Sequence, residues 1–281
     1  MIVVTGASGQ LGSALRTLLG PNATYLRRTD LDLTDGDAIL NSIEFLQPTM
    51  VINCAAYTAV DDAEANEDLA YRINASAVEK LAVATAEVGS GFVTLSTDYV
   101  FDGTAKGPYV ESSTTQPINV YGASKLEGEH LALAANPAAL VIRTSWVLSG
   151  THPNFLATML RLARQRPIRV VDDQIGRPTL ADDLARGIQR SIDAGANGIL
   201  HLTNQGTTSW YELAKEAVTI AGLDPGNISP CTTADYPTPA QRPHNSVLDS
   251  DRLEGLGIDP LPPYREGLER AVENLMRTDL V

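Results

Sequence analysis

Residues Val3–Gly12, "VVTGASGQLG", decide how this chain is read. A β-branched run ends at Thr5, and Gly6, Gly9 and Gly12 follow at G-x-x-G-x-x-G spacing as an apolar pattern of helical period begins. A phosphate at such a turn needs a tight reversal, backbone that approaches with no Cβ in the way, and free N–H groups aimed at it. Glycines supply the first two and a helix N-terminus the third. The spacing is a variant of the dinucleotide pattern, and its place between strand and helix adds weight that the glycines alone lack. The competing reading is a tight strand–helix turn that binds nothing.

Further along, β-branched runs at Ile2–Thr5, Thr24–Leu26, Met50–Cys54, Phe92–Ser96 and Ala139–Arg143 alternate with helical spacings near Leu11–Leu19, Asp35–Leu46, Leu69–Val88 and Tyr121–Ala134. That alternation predicts an α/β chain, an open doubly wound parallel sheet with helices on both faces. After about residue 150 the rhythm changes. Helical stretches "NFLATMLRLARQ", "LADDLARGIQRSID" and "TSWYELAKEAVTIAGL" surround the strand-like "GILHLTN", and "PYREGLERAVENLM" reads as a terminal helix after Pro263. Ser209 and Glu212 are spaced as a capping box. The expected division is a dinucleotide-binding domain over residues 1–149 and a smaller α+β substrate lobe built mainly from residues 150–281, with segments free to return to the first.

Composition narrows the partners. Apolar residues at 43% and charged residues at 20% are ordinary for a soluble globular protein. A net charge of −13 argues against nucleic acid, whose phosphates need a basic face. An anionic ligand must therefore be held locally, by backbone N–H groups or individual arginines. The apolar run at the N-terminus is too short for a signal peptide or membrane span. Cys54 and Cys231 make no disulfide framework or metal spacing, so a reducing cytoplasm is the default placement. His130, His152, His201 and His244 lack metal-ligand spacing and read as surface or packing residues; no metal is expected.

The second strand ends in "YLRR", where an acidic residue would bind a ribose 2′-hydroxyl. Arg27 and Arg28 stand there instead, with Asp30 and Asp32 following. An arginine at this place accommodates a 2′-phosphate, so the preference leans to NADPH with NADH left open. Two solvated arginines at a strand end are the plain alternative.

The chemistry turns on "YGASK", Tyr121 to Lys125. Residues four apart share a helix face, and a phenol beside an ammonium suits carbonyl reduction, in which a proton must reach the oxygen. The same spacing recurs in "YELAK", Tyr211 to Lys215, although nine tyrosines and four lysines give only about 0.13 matches by chance. Position separates the two. Tyr121 opens the helix after the strand that runs into "LSTDYVF", placing Ser96 and Thr97 at a strand's carboxyl end, where ligands bind in open α/β sheets. Tyr211 has no such neighbour and is read as packing. A lysine charge about 4 Å from the phenol, at an effective dielectric of about 20, would favour phenolate by about 4 kcal/mol, or roughly 3 pKa units, an upper-end figure because partial exposure and desolvation of the lysine reduce it.

With these residues in view, the chain resembles the extended short-chain dehydrogenase/reductases and, within them, the dTDP-4-dehydrorhamnose reductase family. The likeness runs through "TGASGQLG", "INCAAYTAVDDAE", "LSTDYVFDG", "NVYGASKLEGE", "IRTSWV", "DDQIGRPT" and "YPTPAQRPHNS". It implies a Rossmann-type domain and NAD(P)H-dependent reduction of a dTDP-linked 4-keto-6-deoxysugar in dTDP-rhamnose biosynthesis, a route to cell-wall polysaccharide. It implies Thr97, Tyr121 and Lys125 as the catalytic trio: Tyr121 donating the proton, Lys125 binding the nicotinamide ribose and Thr97 holding the keto oxygen. Gly9, Gln10, Leu11, Asp32, Leu33, Ala56, Tyr57 and Thr58 would contact cofactor. Asp98, Tyr99 and Trp146 would contact the deoxysugar, and Arg242 a nucleotide phosphate. Related dehydratases resemble "TDEVYG" at this strand end; Tyr99 in place of the glutamate disfavours elimination. Gly12-Ser13-Ala14 replaces a metal-bridging glutamate of some members, so a monomer or weak homodimer is expected rather than a magnesium-bridged one. Two alternatives remain open: reduction of another nucleotide-linked 4-keto-deoxysugar, and a non-catalytic regulatory role like that of the methionine adenosyltransferase beta subunit.

Overall fold

A computed structural model describes all 281 residues, Met1–Val281. The five expected strands form, each end within one residue of its expected place: β1 (Ile2–Thr5), β2 (Ala23–Leu26), β3 (Met50–Asn53), β4 (Gly91–Thr97) and β5 (Leu140–Thr144). Between them lie α1 (Gln10–Leu19), α2 (Gly36–Leu46), the short α3 (Val60–Ala63) and α4 (Glu67–Tyr71), then α5 (Ala77–Glu87) and α6 (Val120–Ala135). The strands pair in parallel in the order β2-β1-β3-β4-β5, and β10 (Gly198–His201) completes the sheet beside β5. "GILHLTN", expected in the second lobe, thus supplies the sixth strand of the first sheet.

Both sheet faces are buried, so the strands read as continuous apolar runs rather than alternating ones. On one face Val3, Val51, Phe92 and Val141 pack with Ile39, Ile43 and Leu81 of α2 and α5. On the other, Val4, Ile52, Val93 and Ile142 meet Leu11 and Leu15 of α1 and Leu184 and Ile188 of α8 (Ala181–Asp193). The result is a Rossmann-type doubly wound sheet. Its strand order reverses between β1 and β3, where an open sheet of this kind leaves a crevice at its carboxyl edge.

The remaining elements form a second lobe with its own core. They are α7 (Phe155–Ala163), α9 (Trp210–Ile220), α10 (Tyr264–Leu275) and three two-stranded ladders: β6 (Val147–Leu148) with β9 (Thr179–Leu180), β7 (Ile168–Val171) with β12 (Ile228–Cys231), and β8 (Ile175–Gly176) with β11 (Thr208–Ser209). Leu156, Leu160, Leu213, Val218, Leu268 and Val272 are buried together there. Only half of the expected capping box at α9 forms. Ser209 Oγ accepts from Glu212 N at 3.1 Å, while the same hydroxyl donates to Asp172 of the neighbouring lobe segment.

One helical stretch departs from its expected course. Instead of a single helix near Leu69–Val88, α4 passes through a π-turn at Arg72–Ser76 before α5 begins. The extra residue turns Asn74 into the interior. Its Oδ1 accepts from Tyr57 N at 2.8 Å, and its Nδ2 donates to Tyr57 O and to Ser124 Oγ at 3.1 and 3.0 Å. A π-turn used this way re-aims one side chain without ending the helix.

Helix α6 lies unusually close to its neighbours. A Cβ on Gly122 would sit 2.1 Å from Tyr99 O, and one on Gly128 would sit 2.0 Å from Asn74 O. Further down the same face, Glu129 accepts two hydrogen bonds from Arg143 of β5, at 2.8 and 2.6 Å, with both side chains buried. Removing one partner strands a charge in the interior. Arg143→Met is therefore expected to lower unfolding stability by about 3–5 kcal/mol in a denaturant titration, and Glu129→Gln/Arg143→Met by clearly less. Equal losses in the two variants would show that the pair is not what holds α6 to the sheet.

Candidate active site

The crevice at the sheet's carboxyl edge is a groove of about 710 Å³. Its floor is the glycine-rich turn. Gly6 adopts φ +64°, and a Cβ there would lie 2.5 Å from Ala55 N; the same addition at Gly12 would lie 2.4 Å from Gly6 O. The turn is packed so tightly against the β3 end that only glycine fits. Helix α1 starts directly above it, with Gly9 as N-cap and no acidic side chain in its first turn, which leaves N–H groups and a partial positive charge for an anion.

Most expected cofactor residues line this groove: Gly6, Gly9, Gln10, Leu11, Asp32, Leu33, Ala56, Tyr57 and Thr58, together with Tyr121 and Lys125. Two do not. Gly12 lies beneath the turn, serving helix–strand packing. Arg27 is turned away, because its Nε and Nη2 donate to Asp30 at 2.9 and 3.2 Å and its backbone N to the same carboxylate at 2.9 Å. Arg28 lines the groove in its place, with Nε 3.8 Å from Asp32 Oδ2. The Asp32 carboxylate is itself held by Thr34 N and Oγ1, both at 2.9 Å.

At the other end, Lys125 is buried and its Nζ donates to Leu95 O at 2.6 Å. Burial brings its pKa down to about 8 and pushes the Tyr121 phenol up to about 12. The expected lowering of the tyrosine by its lysine is not what this site shows. One N–H of the ammonium goes to the Leu95 carbonyl, and loss of water is the largest influence on the phenol. The Tyr211–Lys215 pair makes the closer contact, 3.4 Å from Nζ to hydroxyl, yet Tyr211 packs on the second-lobe core and does not line this groove.

Beyond Tyr121 the remaining expected residues gather where segment 240–246 meets the end of β4. Thr97 Oγ1 donates to Asp98 Oδ1 at 2.9 Å, accepts from Tyr99 N at 3.2 Å and faces the Tyr121 hydroxyl. The Tyr99 ring meets that of Tyr121 edge-on, with centroids 5.7 Å apart. Burial raises Asp98 to about 7 against the opposing pull of Ser246 and Thr97, and its Oδ2 has no partner. Trp146 is no ordinary core aromatic. It holds φ +48° and stacks on Trp210 with centroids 3.6 Å apart, so it is locked in a backbone conformation that costs a bulky residue about 1–2 kcal/mol. Arg242, expected on a phosphate, pairs with Asp61 at 2.9 Å and with Ala240 O at 3.1 Å.

The groove's polar inventory fits a dinucleotide. Ser96 Oγ and Thr144 Oγ1 are buried in its wall with no protein partner, and Lys125 uses one of three donors. Ser96 was marked by its place at the strand end and Arg28 by the strand-two arginine pair, whereas Asn74, Thr144 and Ser246 carried no sequence signal beyond residue type. No three His, Cys, Asp or Glu side chains cluster as a metal site, and no helix is long and apolar enough to cross a membrane. A second cavity of about 680 Å³, lined by Arg177, His201 and Asp249 among others, contains none of the expected residues.

The chain is similar to known proteins in sequence and in fold. The family pattern described as the RmlD substrate binding domain matches residues 1–277. A probable dTDP-4,6-dihydroxy-2-methyloxan-3-one 4-ketoreductase of Streptomyces antibioticus is 42% identical over 283 residues, 99% of this chain and 96% of that protein. A dTDP-4-dehydrorhamnose reductase of Streptomyces griseus is 42% identical over 276 residues, 95% and 91% of the two chains. Among solved structures, dTDP-4-dehydrorhamnose reductase from Bacillus anthracis in complex with NADP superposes with a TM-score of 0.92 at 38% identity, covering 96% of this chain and 97% of that one.

The buried Asp98 gives the site a pH signature. Its folded pKa, near 7, lies above the ordinary 3.8, so its favourable contribution to stability is complete below about pH 4 and is lost as pH rises through 7. Asp98→Asn removes this dependence. Between pH 4 and 7.5 the parent should lose up to ~4 kcal/mol relative to the variant in parallel chemical denaturation series. Parallel curves for the two proteins would contradict a buried, proton-holding Asp98.

Proposed function

The chain belongs to the RmlD substrate binding domain family, and on that premise we propose that it reduces the 4-keto group of dTDP-4-dehydro-L-rhamnose to give dTDP-L-rhamnose, with NADPH as coenzyme. The observation that carries this reading is the placing of the Tyr121 phenol at the end of the dinucleotide groove, facing the Thr97 hydroxyl, with Lys125 buried one helical turn behind it. Residues 1–149 hold the coenzyme and the lobe built mainly from residues 150–281 holds the sugar nucleotide. Oligomer formation is not needed for the chemistry; a monomer or weak homodimer acting in the cytoplasm fits the acidic chain.

NADPH, held along the groove by Gly9, Gln10, Leu11 and Arg28, would supply the hydride for the sugar's C4. The oxygen left on that carbon needs a proton, and the residues are arranged to give it. Thr97 and Tyr121 hydroxyls hold the keto oxygen from one side. Tyr121 carries its proton at neutral pH because burial favours the neutral phenol, so it enters the reaction loaded as a donor. As that proton leaves, Lys125, one helical turn along the same face, is the residue whose positive charge would offset the phenolate. Trp146, stacked on Trp210, presents a flat apolar wall that excludes water and matches a deoxysugar face. Asp98, next to Thr97, is placed to bond a sugar hydroxyl through its unpartnered Oδ2.

A second reading keeps the chemistry and changes the sugar. The 42% identity to a ketoreductase that acts, by its name, on a different dTDP-linked keto sugar favours testing several. Product analysis with a panel of dTDP-4-keto sugars separates the two readings.

Tyr121→Phe is expected to lower turnover by 10²–10⁴-fold while leaving NADPH binding within about threefold, since only the proton is lost. Retained turnover would remove Tyr121 from the mechanism. Arg28→Ala should weaken NADPH about tenfold and NADH hardly at all, measured by fluorescence titration; equal loss for both would take Arg28 off the 2′-phosphate.

A further inference from the structure

The run Asp172–Thr179, "DDQIGRPT", lies outside the coenzyme groove, and no step of the reaction above uses it. Its middle is a junction. Ile175 N donates to His244 O and Ser246 N donates to Ile175 O, both at 2.8 Å, which holds segment 244–246 against β8. Ser145 Oγ donates to Arg177 O at 2.6 Å and Thr179 N donates to Trp146 O at 3.1 Å, so the same run also grips the chain around Trp146. Strand β8 pairs with β11, with Gly176 opposite Thr208, and β11 leads directly into Trp210.

Gly176 is buried at the centre of this junction. Its φ is not positive, so its backbone would accept any residue; the space beside it would not. A Cβ there would lie 2.5 and 2.6 Å from Cε2 and Cζ2 of the Trp146 ring and 2.8 Å from Ser246 Oγ. Ser246 in turn donates to Ile175 O at 3.4 Å and stands beside the buried Asp98 carboxyl. The Trp146 ring is held a second time, by Trp210, whose plane is tilted only 10° from it, and Phe155 leans on Trp210 with centroids 4.5 Å apart. A bulky residue at φ +48° stays there only where its surroundings over-determine it, and these contacts do so.

We propose that Gly176 and Trp210 are positioning residues for the sugar: together they fix the Trp146 ring at a set distance from the Asp98–Ser246 pair, so that both meet one sugar ring. The proposal rests on the reductase reading above, in which Trp146 and Asp98 contact the deoxysugar. Gly176 is the spacer, since the ring and the Ser246 hydroxyl converge on the place its missing Cβ would fill. Trp210 is the backing that keeps the ring from turning. Neither lines the coenzyme groove, so their effect falls on sugar binding and leaves coenzyme binding alone.

The test is steady-state kinetics of the full chain with dTDP-4-dehydro-L-rhamnose, beside NADPH titration and near-ultraviolet circular dichroism. Trp146 and Trp210 are the chain's two tryptophans, and rings stacked this closely give a coupled signal. Gly176→Ala should raise the sugar-nucleotide KM about tenfold, keep kcat within about threefold and the NADPH Kd within about twofold, and change the tryptophan signal. Trp210→Leu should raise the same KM by a smaller factor with NADPH binding again unchanged. A parental KM in Gly176→Ala overturns the proposal. So does a KM rise matched by an equal loss of NADPH affinity, the mark of a general loosening. If Gly176→Ala does not fold, Trp210→Leu decides alone: a raised KM at parental NADPH affinity supports the proposal and a parental KM overturns it. Parent protein that turns over no dTDP-4-keto sugar overturns the reductase reading and this proposal with it, a result distinct from parental turnover that survives Gly176→Ala.

Discussion

The close seating of helix α6 against the carboxyl end of β4 is the constraint on which the rest of the site depends. Tyr121, Lys125 and Glu129 are spaced at i, i+4 and i+8, so one helix face carries a phenol, an ammonium and a carboxylate inward. Each is fixed by a different partner: Thr97 for the phenol, Leu95 O for the ammonium, Arg143 for the carboxylate. The helix start is fixed as well. Asn119 caps Gly122 N at 2.8 Å, and its Nδ2 donates to Gln241 O of the second lobe at 2.8 Å. Burying two charges is costly, and the Glu129–Arg143 pair keeps that cost bounded by meeting both carboxylate oxygens.

From this seat the two lobes acquire a common centre. The first lobe brings the glycine turn, the groove and the β4 hydroxyls. The second brings segment 240–246 and Trp146, whose positive φ is tolerated because Trp210 stacks on it and Gly176 leaves room for its ring. Charge is handled locally throughout. The anion-binding capacity sits in a helix N-terminus and a few single cations, while the chain as a whole carries a net charge of −13, which argues against a nucleic-acid partner.

Alternating β-branched runs made the sheet legible, because strands buried on both faces leave a continuous apolar trace. The glycine turn was legible because no other residue fits beside Ala55 N. What failed to show had physical causes. The apolar spacing of Leu69–Val88 is compatible with either an α-helix or one interrupted by a π-turn, so Asn74 gave no signal. Strand β10 returns to the first sheet, a return the sequence left open without naming the segment, because pairing beside β5 is a long-range choice that four residues do not encode. Arg27 and Arg28 are equal in the sequence, and the Asp30 side chain decides between them. Two Tyr–Lys pairs share one spacing, and only the neighbours at the end of β4 tell them apart. The lysine's effect on Tyr121 was bounded only from above, because a sequence does not reveal the Leu95 carbonyl that takes one N–H of the ammonium.

The central claim is that the groove and Tyr121 form one reductase site, and isotope transfer tests it most directly. Protein incubated with NADPH carrying deuterium in the transferable 4-position and with dTDP-4-dehydro-L-rhamnose should yield a 6-deoxysugar nucleotide with one deuterium at C4 per NADPH oxidised, read by proton NMR. Coenzyme that binds but transfers no deuterium to C4 of this or any related keto sugar would contradict it.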